Sequence, residues 1–132
     1  FNENGEAISL QNIFQEKPMP KMKDNEFSPN EYLKMKNYEE AKKAFAAIKM
    51  NEYQITYLAY DLLNKKPLDL IAVKILLEIA KEQHPNSSIV FSRWGDYFLK
   101  LNDKQNAIIN YQRAVELDPS DENSKEVLRR LL

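Results

Sequence analysis

The chain has 132 residues with two glycines and no cysteine; 43% of its side chains are apolar and 30% charged, enough for one core. The missing cysteines exclude a disulfide-stapled scaffold, a Cys-ligated zinc site and a thiol nucleophile. Nineteen basic against twenty acidic residues leave no basic field for a nucleic acid or an anionic membrane surface. The most apolar stretch, Leu68 to Ala80, is shorter than a bilayer crossing and is interrupted by Lys74 and Glu78, so it reads as a buried helix and no membrane insertion is expected. The start at Phe1, without a signal-type segment, suggests a piece of a longer polypeptide. A cysteine-free chain is compatible with any redox compartment.

With so few glycines and apolar residues recurring at helical spacing, the expected fold is all-α. Ala7, Leu10 and Phe14 put an apolar stripe on one short helix, and Lys17-Pro18-Met19-Pro20-Lys21 turns the chain into an extended linker, because proline lacks a donor and fixes φ. Residues 1–27 are therefore read as an N-terminal helix with a proline-containing linker, and 28–132 as the helical domain. Ser28-Pro29-Asn30-Glu31 restarts helix with a serine cap, proline at the first position and a glutamate able to reach back to the cap. A helix from Tyr38 to about Met50 should bury Ala41, Phe45 and Ile48. Another from about Glu52 to Asn64 should bury Ile55, Leu58, Ala59 and Leu62. After Pro67, apolar residues from Leu70 to Ala80 cover nearly the whole circumference, which calls for neighbours on several sides. His84-Pro85 stops that helix. Phe91, Trp94, Gly95 and Phe98 form the next core face, Asn102-Asp103 turns the chain and caps a helix lined by Ala107, Tyr111, Ala114 and Val115, and Asp118-Pro119 ends it. Asp121 to Leu132 closes the sequence with Val127, Leu128 and Leu131 on one side.

Pro85 and Pro119 stand 34 residues apart, each with an alanine five residues earlier (Ala80, Ala114), a large apolar residue eight earlier (Leu77, Tyr111) and Val73 or Ala107 twelve earlier. A 34-residue helix-turn-helix period ended by proline is that of the tetratricopeptide repeat. Ser88 to Asp121 resembles a complete repeat of that family. Phe91 stands for its tryptophan, Trp94-Gly95 for its Leu-Gly pair and Phe98 for its tyrosine; Ala107, Tyr111, Ala114, Leu117 and Pro119 match the rest. The small residues let two helices approach, and the aromatics fill the space to the next pair. In the preceding unit strict counting puts Asp61 at the small-residue position. The i, i+3, i+4, i+7 spacing of Ile55, Leu58, Ala59 and Leu62 favours instead a connection one or two residues longer, with Ala59 at the close contact. The resemblance divides the domain into a degenerate pair 28–51, repeats 52–87 and 88–121, and a capping helix 122–132. In that last helix Arg129 would hold off a further helix. The architecture expected is an α-α superhelix of about three helix pairs with a C-terminal cap.

No catalytic constellation is present. His84 is the only histidine, at a helix C-terminus that favours a partly positive ring. No Gly-x-Ser-x-Gly elbow, Ser-x-x-Lys pair or phosphate-binding glycine loop occurs. Glu39-Glu40 and Asp121-Glu122 sit in first helical turns, where carboxylates complement the macrodipole, and Lys65-Lys66 and Arg129-Arg130 read as solvated helix ends. The expectation is a non-enzymatic chain with no metal and no cofactor.

Tyr53, Thr56, Tyr60 and Leu63 are placed opposite Ile55, Leu58, Ala59 and Leu62 on their helix. In the tetratricopeptide family the first helix of each repeat lines a concave groove. The resemblance therefore implies that these four meet Ser92, Asp96, Leu99 and Lys100 of the next repeat in a nearly neutral, aromatic groove for a peptide or a partner domain. Alternatively, the tyrosines pack against the N-terminal segment, whose helix Ala7 to Phe14 could fill the groove in cis. Family members that grip a C-terminal carboxylate use lysines and asparagines; Thr56, Tyr60 and Arg93 stand near those places here, so that clamp is not expected.

A second resemblance concerns Ala7 to Pro18, a spacer, then Tyr60-Asp61-Leu62-Leu63 and the repeats. Together they are similar to the C-terminal extension of serine β-lactamase-like hydrolases. This implies a non-catalytic accessory tail, exported from the cytoplasm, whose partner would be the catalytic domain of its own chain, with a homodimer as a further assembly. The family's Ser-x-x-Lys, Tyr-x-Asn and Lys-Thr-Gly motifs are absent.

Overall fold

The computed structural model describes residues 27–132; the expected helix Ala7 to Phe14 and its linker lie outside them. The described residues form seven α-helices and no strand: α1 Pro29–Lys34, α2 Tyr38–Ala46, α3 Glu52–Leu63, α4 Leu70–Gln83, α5 Ser88–Lys100, α6 Lys104–Leu117 and α7 Glu122–Leu131. Each starts on a side chain that accepts from one of the free amides of its first turn. Ser28 and Glu31 form the capping box expected of them, with the Ser28 amide donating to Glu31 Oε1 at 2.8 Å. Asn51 and Gln54 form another that was not anticipated. Asn37, Asp69, Ser87, Asp103 and Asp121 cap the remaining helices.

Consecutive helices pack as the pairs α1–α2, α3–α4 and α5–α6, with α7 against α6. Between pairs, α3 meets α5, α2 meets α4, and α4 also meets α5. Odd and even helices thus form two layers of an all-α, tetratricopeptide-like helical repeat. The helix expected to need cover on several sides, α4, has it from α2, α3 and α5. Its Ala72, Val73, Ile75, Leu76, Leu77, Ile79 and Ala80 are all buried, while Ile71 remains 57% exposed.

The register of the repeat is visible in the burial. Ala59 and Gly95 are the eighth residues of α3 and α5, and Leu77 and Tyr111 the eighth of α4 and α6; all four are buried. Ala59, and not the half-exposed Asp61, occupies the small-residue position. The reason is the α3–α4 connection of residues 64–69, against 101–103 between α5 and α6, which shifts α3 out of the strict 34-residue count. A Cβ on Gly95 would lie 2.6 Å from the Tyr111 ring, so this glycine is fixed by the close approach of α5 and α6 and not by backbone conformation.

Three expectations are corrected. The helix after Tyr38 ends at Ala46, not near Met50, and Ile48 is outside it and 41% exposed. Its last turn tightens, with the Ile48 amide donating to Phe45 O, and Gln83 Nε2 then donates to Ile48 O at 3.1 Å. These contacts turn the chain toward α3. His84 does more than meet a helix dipole, because its Nε2 lies 2.8 Å from Met50 O and ties the end of α4 to the same connection. Tyr97, passed over in the sequence, is buried beside Trp94, their rings edge to face at 5.5 Å.

Candidate functional site

The residues at issue lie on α3, α5 and the start of α7. On α3 the buried side consists of Ile55, Thr56, Ala59 and Leu63, with Leu58 and Leu62 half-buried at its edge. Thr56 therefore does not face the groove: it is 1% exposed, and its hydroxyl donates back to Glu52 O at 2.6 Å, the i−4 bond available to a helical threonine. Leu63 and Ser92 are likewise buried and form floor, not open surface. The Ser92 hydroxyl accepts from Ser124 Oγ at 3.1 Å, joining α5 to α7.

What α3 does present is an aromatic row. Tyr53 and Tyr60 are 63% and 46% exposed, as a groove-lining role requires, and Tyr57, 64% exposed, lies between them. Spaced i, i+4, i+7, the three share one helical face. Tyr57 belongs on the same outward face by helical spacing, opposite Ile55, Leu58, Ala59 and Leu62, although it was not among the expected groove residues.

Two clefts open beside this row. One, of about 670 Å³, is lined by Tyr60, Leu63, Asn64, Arg93, Asp96, Leu99, Lys100, Asn123 and Val127. The other, of about 310 Å³, is lined by Tyr53, Ser88, Ile89, Ser92, Arg93, Asp118, Asp121 and Asn123. Arg93 and Asn123 belong to both walls, so the two clefts adjoin, and together they are the trough along α3, α5 and α7. The trough brings together Tyr53, Tyr60, Leu63, Ser92, Asp96, Leu99 and Lys100, and leaves out Thr56.

Arg93, set aside in the sequence, is the trough's centre. Its guanidinium lies 5.1 Å from the Tyr60 ring centroid, a cation-π distance, and its Nη1 donates to Asp96 Oδ2 at 3.2 Å. The buried Arg93 Nε has no partner among the described residues. The Tyr111 hydroxyl donates to Asp96 Oδ1. Desolvation pushes the Asp96 carboxyl above its usual range, although the Tyr111 hydroxyl and Arg93 pull it down. The same burial, with the Asp96 charge beside it, holds the Tyr111 phenol protonated far above its ordinary range. Asp96 is thus anchored on two sides, a fixed acceptor with a fixed cation next to it. Only spatial proximity could reveal this linkage of Tyr60, Arg93, Asp96 and Tyr111, since it crosses three helices.

Among the described residues no group of three His, Asp or Glu side chains is placed to hold a metal ion, and no helix is long and apolar enough to cross a membrane. Residues 93–121 match the tetratricopeptide repeat family, a span from the middle of α5 through α6 to the cap of α7. No curated protein matches the chain. The likeness to hydrolase tails therefore has no support beyond the residues that suggested it, and 7–18 of those lie outside the described ones.

Proposed function

We propose that this domain is a non-catalytic protein-interaction module whose trough across α3, α5 and α7 takes a peptide segment of a protein partner. The observation that carries the reading is that Tyr53 and Tyr60 stand exposed on the walls of two adjoining clefts, with Tyr57 exposed between them on the same helical face. Tyrosine buries large area at low entropic cost and keeps a polar tip for hydrogen bonding. Leu99 and Leu63 supply apolar floor, and Lys100, Asp96 and Asn123 supply polar rim. Charge is ordered along the trough, with Lys100 at one end and Asp118 and Asp121 at the other. The peptide it fits carries an acidic residue toward Lys100, apolar side chains in the middle and a basic residue toward α7. The binding unit is residues 28–132, divided as 28–51, 52–87, 88–121 and 122–132.

Titrating the full chain with peptides of that charge order and of the reversed order, followed by NMR, tests this. Shifts at Tyr53, Tyr60, Arg93 and Lys100 with the first and weaker shifts with the second are expected. No perturbation at these positions by any peptide overturns the reading. In the accessory-tail version the peptide belongs to a catalytic domain of the same polypeptide, so peptide mapping of the native protein upstream of Phe1 should then find a Ser-x-x-Lys motif.

A further inference from the structure

A second cleft lies on the opposite side of α3, at the start of the stack. It has a volume of about 540 Å³, an apolar floor that includes Leu33, Leu58, Leu62 and Leu76, and a mixed rim of Lys34, Lys36 and Lys65 with Asp61 and Asp69. It exists because α1 is short. At 1.5 Å per residue the six residues of α1 span about 9 Å, whereas the twelve of α3 span about 18 Å. Two turns that a full-length first helix would lay beside α3 are missing, and Leu58 and Leu62 stay half-buried where Ile55 and Ala59 are fully covered.

We propose that this gap is filled in cis by residues 7–14 of the same chain. Their apolar residues Ala7, Leu10 and Phe14 recur at i, i+3 and i+7, a stripe two turns long that matches the missing length. The charge allows it: residues 7–14 carry no charged side chain, so they oppose no like charge on a rim whose Lys65 and Lys36 are already paired with Asp61 and Asp69. Glu16, just beyond them in the same segment, can meet Lys34. The connection reaches. Twelve residues lie between Phe14 and Phe27, so the thirteen steps span up to about 45 Å of extended chain, and the cleft wall begins at Asn30. A tether of this length gives an effective concentration of order millimolar, so even a weak two-turn contact is populated. The segment then completes the first pair and leaves the tyrosine trough, across α3, free for a partner.

The absence of cysteine allows a clean test in the full chain. A nitroxide on Asn12→Cys, on the side of the segment away from the apolar stripe, should remove most of the methyl NMR intensity of Leu33, Leu58, Leu62 and Leu76 relative to the reduced label. Leu99 and Val127 in the trough should keep theirs. Adding Leu10→Asp should restore the lost intensities without changing the peptide titration. Loss at Leu99 and Val127 instead would place the segment in the trough and overturn the inference, as would no loss anywhere or losses that persist with Leu10→Asp. In a mixture of spin-labelled and isotope-labelled chains, loss on the isotope-labelled chain would show that a second copy supplies the segment, which also overturns it.

Discussion

In the pair α5–α6 a glycine lies under a tyrosine ring, with 2.6 Å between the position of a Cβ on Gly95 and Tyr111; in the pair α3–α4 the same two positions hold Ala59 and Leu77. All four residues are buried, so both pairs solve the same packing problem with the volume divided differently. A small residue on one helix is set by the size of what the other helix brings to it, and the two positions are one coupled feature. The extra length of Tyr111 also carries its hydroxyl to Asp96, which has no counterpart through Leu77. The later pair thereby acquires a polar anchor for the trough that the earlier pair lacks.

The sharpest way to break this comparison is Tyr111→Ala. It should lower stability in urea or thermal unfolding by about 3 to 5 kcal/mol, the range for emptying a fully buried aromatic site. Gly95→Ala comes next. Helix propensity alone would make it stabilising by about 1 kcal/mol, yet overpacking against the Tyr111 ring should leave a net loss of about 1 to 3 kcal/mol. In a Tyr111→Leu background, which reproduces the Ala59 and Leu77 combination, that loss should shrink by at least about 1 kcal/mol; an unchanged loss would mean that the two positions are not coupled. Ala59→Gly should cost only about 1 kcal/mol, the propensity difference, because Leu77 already leaves room for the methyl; a cost of several kcal/mol would show that the two pairs divide volume alike.

The smallest effect is a slope. Because the folded Asp96 carboxyl titrates above its ordinary value of 3.8, the native state holds its proton more firmly than the unfolded state. Stability contributed at this site is then present below that value and lost as pH rises from it through the folded pKa. Asp96→Asn should flatten this part of the stability-against-pH curve, measured by unfolding midpoints at several pH values; an unchanged slope would mean that Asp96 does not carry it.

Much of the fold was legible because its signals are local. The prolines at 85 and 119, the caps at Ser28 and Asp103 and the helical spacing of α4 each act within a few residues of themselves. The turn at Asn102, with φ 59°, was read correctly as a break, and Lys36, also at φ 59°, makes the equivalent turn between α1 and α2 without an asparagine to announce it. Of the proposed trough, Tyr53 and Tyr60 were suggested by helical spacing, and Asp96, Leu99 and Lys100 by the tetratricopeptide resemblance. The burial of Thr56 was not legible, because a threonine can turn its hydroxyl onto its own helix and be buried at no polar cost. Nor was Arg93, whose importance comes from Tyr60 on one helix and Asp96 on its own.

The amino-acid sequence by itself determined the all-α class, the 34-residue period, the helix stops before Pro85 and Pro119 and the choice of Ala59 over Asp61, since these follow from backbone stereochemistry and from apolar spacing along one chain. Only the tertiary structure decided the fit of Gly95 to Tyr111, the anchoring of Asp96, the joining of two clefts through Arg93 and the gap beside the short α1. Each of these depends on a distance between helices, which is set by the summed shapes of side chains that no single helix contains.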